Sequence, residues 1–231
     1  MTLYKRVAIF FAPGSQTALW EFGGNWLGWD VQHAKSVIHP DIDGLPEPIE
    51  TLVATPQKYG FHGTLKAPFR LHDDQTINGL KAAMKVFCDQ RQPFTIGKMK
   101  VATLGRFVAI IQENPSEKFA EFASEIVTHF DEFRASLSDE DIAKRRKKSK
   151  LTARQDELML EWGYPYIFEE FKFHLTLTGK LSEQNAQIVC DRLSDHLKLI
   201  LDAPVEAVDL CLYGEREDGR FEIIERFPFS G

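Results

Sequence analysis

The chain has 231 residues, 43% of them hydrophobic and 18 of them phenylalanine, a length between one and two ordinary domains and ample for a substantial core. Its formal net charge of −6 argues against a broad nucleic-acid-coating surface while leaving room for a local basic cleft. Three cysteines without a Cys-x-x-Cys pair, no apolar run long enough to span a bilayer, and an early apolar run (7–12) shorter than a signal-peptide core together predict a cytoplasmic protein with reduced thiols and no membrane partner.

In chain order, a strand is expected over 5–11, closed by Pro13-Gly14, then a helix capped by Ser15 with Leu19, Phe22 and Trp26 on one face. His33 and His39 lie in a polar stretch without a partner at ligand spacing, and the prolines of 40–56 mark a loop. A strand begins near Phe61, and a helix capped by Asp73 or Asp74 follows, with Ile77, Leu80, Met84 and Phe87 on one side. Strands over 94–101 and 107–112 are joined by a turn at Gly105. Asn114, Pro115 and Glu117 signal the start of a helix whose phenylalanine stripe, Phe119 to Phe133, belongs to the core.

The region 136–166 is a helical insertion. It opens acidic, turns into the basic run 144–150 and continues through a capping box, Thr152 with Gln155, to a helix ending at Gly163. The run is either a solvated face or an arm over an anionic ligand. A strand around Phe173, a helix started by Ser182, and strands over 205–213 and 220–227 with Asp218-Gly219 in their turn complete the chain.

One pattern is written twice: Phe61-His62-Gly63-Thr64-Leu65 and Phe173-His174-Leu175-Thr176-Leu177. His-x-Thr alone is a weak signal in a chain with 7 histidines, but Phe before and Leu after, both times, makes coincidence remote. Alternation on a strand puts His62, Thr64 and Lys66 in one row and His174 and Thr176 in another, each backed by an apolar row. The recurrence predicts an α+β chain read as a single bilobal domain, 1–231. A first motif unit (57–112) and a second (171–227) would supply two pseudo-symmetric antiparallel sheets with outer helices around a central cleft.

Two imidazoles with hydroxyls and amines, and no carboxylate fixed beside either ring, suit phosphodiester chemistry. One imidazole takes a proton from the attacking oxygen, the other gives one to the leaving oxygen, and hydroxyls and lysines hold the phosphate. No Gly-x-Ser-x-Gly elbow supports a serine nucleophile, and His-x-Thr is not a metal-ligand spacing, so neither metal nor other cofactor is expected.

The paired His-x-Thr motifs resemble those of the 2H phosphoesterase superfamily, which includes RNA 2′,5′-ligase-like proteins and cyclic phosphodiesterases. The stretches from Lys58-Tyr59-Gly60 into the first motif and from Trp162-Gly163-Tyr164-Pro165-Tyr166 into the second are similar to a bacterial branch associated with phosphonate utilisation. The resemblance implies a bilobal α+β fold, both motifs in one cleft, catalysis by His62 and His174 without a metal, and phosphate contacts from Thr64 and Thr176. Strand phase and position add Lys66, Tyr59 and Tyr166 as candidate phosphate-binding residues, with packing as the alternative role for both tyrosines. The expected partner is a small phosphorylated substrate, such as a cyclic phosphate or a phosphorylated sugar, and not an extended nucleic acid. Competing expectations are a non-catalytic nucleotide- or RNA-end-binding module using the same cleft, and a scaffold within a phosphonate-enzyme assembly.

Overall fold

The computed structural model describes residues 4–148 and 150–231, so Ser149 of the basic run lies outside the described residues. β1 (Val7–Phe11) is buried along its whole length. In α1 (Ala18–Leu27) the cap is Thr17, whose Oγ1 accepts from the Trp20 N–H at 3.2 Å, rather than Ser15. β2 (Trp29–Asp30) and β3 (Lys35–Ser36) form a minimal antiparallel pair. The proline-rich stretch expected to be loop contains the short helix α2 (Ile49–Val53). Its prolines Pro46 and Pro48 precede the first turn, where N–H groups have no intrahelical partner to lose.

β4 (Gly63–Phe69) carries the first motif, and α3 (Ile77–Asp89) is capped by Thr76 rather than by Asp73 or Asp74. The strand expected at 94–101 is two strands in different sheets, β5 (Phe94–Gly97) and β6 (Met99–Leu104), broken where Gly97 takes φ 107°. β7 (Phe107–Gln112) follows as expected. α4 (Glu117–His129) is capped by Ser116 rather than Asn114, and Phe133 lies in a 3₁₀ turn beyond it. The insertion supplies α5 (Asp139–Lys148) and α6 (Ala153–Trp162), the latter opened by the Thr152–Gln155 capping box and closed at Gly163 as its sequence predicts. β8 (His174–Thr176) carries the second motif, and Ser182 caps α7 (Glu183–Leu197). The strand expected at 205–213 also divides, into β9 (Val205–Ala207) and β10 (Asp209–Glu215), before β11 (Phe221–Pro228).

This is an α+β fold built on a seven-stranded antiparallel sheet in the order β11-β10-β1-β4-β8-β7-β6; β5 and β9 pair separately. The two motif strands are neighbours at its centre, where Gly63 pairs with Leu175. The two expected sheets are thus halves of one sheet, β11-β10-β1-β4 and β8-β7-β6, meeting at that pair. α3 packs on β10 and β11, α7 on β6 and β7, and α4 on β4.

Alternation along β1 divides the interior. Val7, Ile9 and Phe11 join the large core under the helices, and Ala8, Phe10 and Ala12 join a second cluster with Trp29, Tyr213 and Phe221 on the other face. Phe61, Leu65, Phe173, Leu175 and Leu177 all lie in the large core. At about 1.5–3 kcal/mol for each fully buried side chain, these five anchor both motif strands far more strongly than any polar contact in their rows. Trp26 adds a long-range tie, its Nε1–H donating to the Leu177 carbonyl at 2.7 Å.

Candidate active site

Two glycines shape the first motif. Gly60 takes φ 68°, and a Cβ there would stand 1.9 Å from Val31 Cγ1, so the turn into the strand admits only glycine. At Gly63 a Cβ would come within 2.3 Å of Phe173 Cε2, which is why the repeat has Gly here and Leu in the second copy. Gly63 and Leu175 face the core, which leaves His62, Thr64, His174 and Thr176 on the opposite side. Continuing the antiparallel pair Gly63–Leu175 by one step each way sets His62 across from Thr176 and Thr64 across from His174. The four motif residues therefore form one patch in which each imidazole has the other motif's hydroxyl opposite it.

Both rings are held alike. His62 Nδ1 is 2.9 Å from the Gly60 carbonyl oxygen, and His174 Nδ1 is 2.7 Å from that of Lys172, in each case the residue two positions earlier. A carbonyl only accepts, so Nδ1–H donates and Nε2 is left with the lone pair of the neutral ring. Thr64 Oγ1 sits 3.3 Å from His62 Nε2. The His62 ring stacks on Phe10 with centroids 3.9 Å apart, while His174 has Phe107 at 5.8 Å.

These settings shift both imidazoles in one direction. Burial pushes His62 from 6.5 down to about 4, against the opposing pull of the Gly60 carbonyl, and the charge of a protonated His174 lowers it further. His174 is also lowered by burial, opposed by the Lys172 carbonyl. The two groups sit on paired neighbouring strands, and both are held toward the neutral form.

The further candidates fall in an adjoining cavity. β4 has two irregularities against β1, between Thr64 and Lys66 and between Lys66 and Phe69, so strand alternation does not carry Lys66 into the motif row. Lys66 instead lies opposite the core residue Ile9, and its ammonium donates to the Val127 carbonyl at 2.8 Å and to Asp131 at 2.9 Å. Against burial, which would raise it, hydrogen bonds from Arg134 and Lys66 hold the Asp131 carboxyl below the usual range. Lys66, Tyr59 and Tyr166 line a cavity of about 440 Å³ roofed by the insertion. Tyr59 connects the two places: it is a wall of the cavity, and its ring centroid is 5.9 Å from that of His62.

The side chains of the basic run point different ways. Lys144 and Arg145 line the cavity, whereas Arg146 turns away to pair with Asp156 at 2.6 Å. Sequence reasoning did not reach Arg6, Arg70 or Arg134, which come to this cavity from distant segments, nor Phe10 and Tyr213, which pack beside His62. Tyr213 Oη is buried without a hydrogen-bond partner among the described residues. A period-2 pattern shows that Phe10 and Tyr213 are strand residues; only the pairing of β1 with both β4 and β10 shows what they support. Among the described residues no group of three or more His, Cys, Asp or Glu side chains is gathered in a metal-binding arrangement, and no helix is long and apolar enough to cross a membrane.

Residues 64–222 match the model of a family described as "Protein of unknown function (DUF1045)", and the chain belongs to that family. Over 98% of its length the chain is 32% identical to the ribose 1,5-bisphosphate phosphokinase PhnN of Janthinobacterium sp. (strain Marseille), covering 51% of that protein. Over 93% it is 30% identical to the protein of the same name from Laribacter hongkongensis (strain HLHK9), covering 49% of it. The chain thus spans about half the length of these curated relatives. Among solved structures it is similar to one described as a phosphoesterase, with 14% identity, 99% coverage of each chain and a TM-score of 0.42. It is also similar to E. coli LigT complexed with ATP, with 11% identity, 100% coverage of each and a TM-score of 0.43.

Proposed function

We propose that the chain is a metal-independent phosphodiesterase of the two-histidine type, acting on a small cyclic phosphate ester. The observation that carries this reading is the matched pair of imidazoles on neighbouring strands, each locked through Nδ1 by a backbone carbonyl so that Nε2 keeps its lone pair, with Thr64 Oγ1 already 3.3 Å from that of His62. In the proposed step His62 Nε2 removes a proton from water as its oxygen bonds to phosphorus. The ring P–O bond breaks, and the departing alkoxide takes the proton from His174 Nε2. One water is consumed, a phosphate monoester forms, and proton exchange with solvent restores both rings. His62 is assigned as the base because packing against Phe10 keeps it neutral to lower pH, whereas His174 has the looser surroundings suited to the protonated partner. Thr64 and Thr176 donate to the non-bridging oxygens.

The name shared by the two curated relatives points to phosphorylated ribose as the substrate class, and the resemblance to a phosphonate-associated branch points the same way. The chain contains no Gly-x-x-x-x-Gly-Lys-Ser/Thr run, so the phosphokinase named in those relatives is not proposed for the histidine site. The test is turnover of a panel of ribose and nucleoside cyclic phosphates with and without chelator. Hydrolysis that persists in chelator and vanishes in His62→Ala supports the reading. Activity that needs a divalent ion, or near-normal turnover in both His62→Ala and His174→Ala, overturns it.

A further inference from the structure

The cavity beside the first motif holds a concentration of positive charge that the histidine chemistry does not use. Seven lysine and arginine side chains line it against a single carboxylate, Asp141, in a chain whose formal net charge is −6. Four of the seven have carboxylate partners: Arg6 with Glu215, Arg70 with Asp141, and Lys66 and Arg134 sharing Asp131. The other three are Lys58, Lys144 and Arg145, and among the described residues none has a carboxylate in ion-pair reach. Lys58 and Arg145 lie instead over the rings of Tyr59 and Tyr164, at 4.7 and 5.3 Å.

Like charges gathered in a partly enclosed space repel one another more strongly than in open water, so the arrangement opposes the empty fold and favours a multiply charged anion. Lys144 and Arg145 belong to the insertion, while Lys58 belongs to the turn that leads into the first motif, so the cations converge from separate elements rather than coating one helix. A volume of about 440 Å³ suits a small ligand and not a polymer. Tyr59 borders both this cavity and His62, so the cations and the first motif are separated by little more than one side chain.

We propose that this cavity is a second anion site that takes a terminal phosphate monoester, so that the substrate is a small sugar phosphate carrying two phosphoryl groups, one cyclised and one free. The proposal rests on the phosphodiesterase reading for the identity of the first group, but the site itself does not depend on turnover. The insertion thereby acquires a role in binding, because without Lys144 and Arg145 the cavity would keep mainly cations already paired to carboxylates.

The experiment is a calorimetric titration of ribose 5-phosphate, a monoester with no diester to cleave, at low and at moderate salt. Three proteins are compared: the chain itself, His62→Ala/His174→Ala, and Lys58→Gln/Lys144→Gln, whose side chains are exposed and whose replacement leaves packing intact. Arg145→Gln serves as a second cation variant. Binding is expected to survive loss of both histidines, to weaken at least tenfold in either cation variant, and to fall steeply with salt. No binding by the chain itself, binding unchanged in the cation variants, or binding as tight for unphosphorylated ribose or adenosine, which would mark the aromatic walls as the real site, overturns the proposal. Intact monoester binding with no turnover of any cyclic phosphate would sink the phosphodiesterase reading and leave this site standing. Turnover with no monoester binding would do the reverse.

Discussion

At the first motif the chain turns through Gly60 and squeezes past Phe173 at Gly63; at the second, Lys172 stands in the place of Gly60 without a positive φ, and Leu175 stands in the place of Gly63 within the strand. Both nevertheless present an imidazole whose Nδ1 is bound to the carbonyl two residues earlier. What differs is the surroundings. His62 is stacked on Phe10 and borders the basic cavity through Tyr59, whereas His174 has the looser aromatic contact, with Phe107. A repeated motif thus supplies two like groups, and packing gives them unequal surroundings, the asymmetry that the proposed acid–base pair needs.

The largest expected effect breaks the pair outright. His62→Ala or His174→Ala should each lower kcat/KM on a cyclic phosphate by roughly 10²- to 10⁴-fold, the usual worth of a positioned acid or base. The double variant should cost much less than the product of the two, because groups acting as one unit are not additive. Steady-state kinetics of the three proteins checks both points, and independent, multiplicative losses would mean that the rings do not share one reaction.

Next come the two backbone solutions. Leu175→Ala empties a fully buried position and should destabilise the fold by about 2–5 kcal/mol. Gly63→Ala at the matching place fails in the opposite sense, by overcrowding: its new methyl meets Phe173, at a cost of about 1–3 kcal/mol. Urea denaturation of both measures the contrast, and a Gly63→Ala protein as stable as the parent would mean that the strands approach less closely than described.

How much of this was legible beforehand follows the range of the interactions. The doubled motif, the Thr152–Gln155 box, the Gly163 stop and the Ser182 cap are set by residues within a turn of each other, and all were readable. Caps at Thr17, Thr76 and Ser116 were missed by a few residues because nearby Ser, Asp or Asn side chains are equally competent and packing makes the choice. Strand partners were not readable. Nothing local says that β10, at the far end of the chain, lies against β1, or that β4 carries irregularities that take Lys66 out of the motif row. The basic cavity was half visible, as the run at 144–150; its remaining cations come from segments that only the fold brings together.

A finer comparison concerns the hydroxyls. Thr64→Val and Thr176→Val should each cost about tenfold in kcat/KM, one hydrogen bond to a charged oxygen, and weaken affinity for a phosphate product. Unequal losses would show on which side of the pair the phosphate leans.

The smallest effect lies in stability against pH. His62 binds its proton at about 4 when folded against 6.5 as its ordinary value, so between these values the unfolded chain holds more protons. The contribution of this group is complete above about 6.5 and is lost as pH falls toward 4. The wild-type slope of unfolding free energy over that window should therefore exceed the slope of His62→Ala, measured by urea titration at several pH values. Equal slopes would place His62 in water.

The central claim, that one proton is shared between two unequal imidazoles, is tested most directly by the pH dependence of kcat/KM on a cyclic phosphate, since this quantity reports the free enzyme's acid and base. With His62 at about 4 and His174 also below 6.5, the profile should be a bell whose maximum lies between those values, with its acid limb set by His62. A profile with a single limb, or a bell centred above pH 7, would contradict the account.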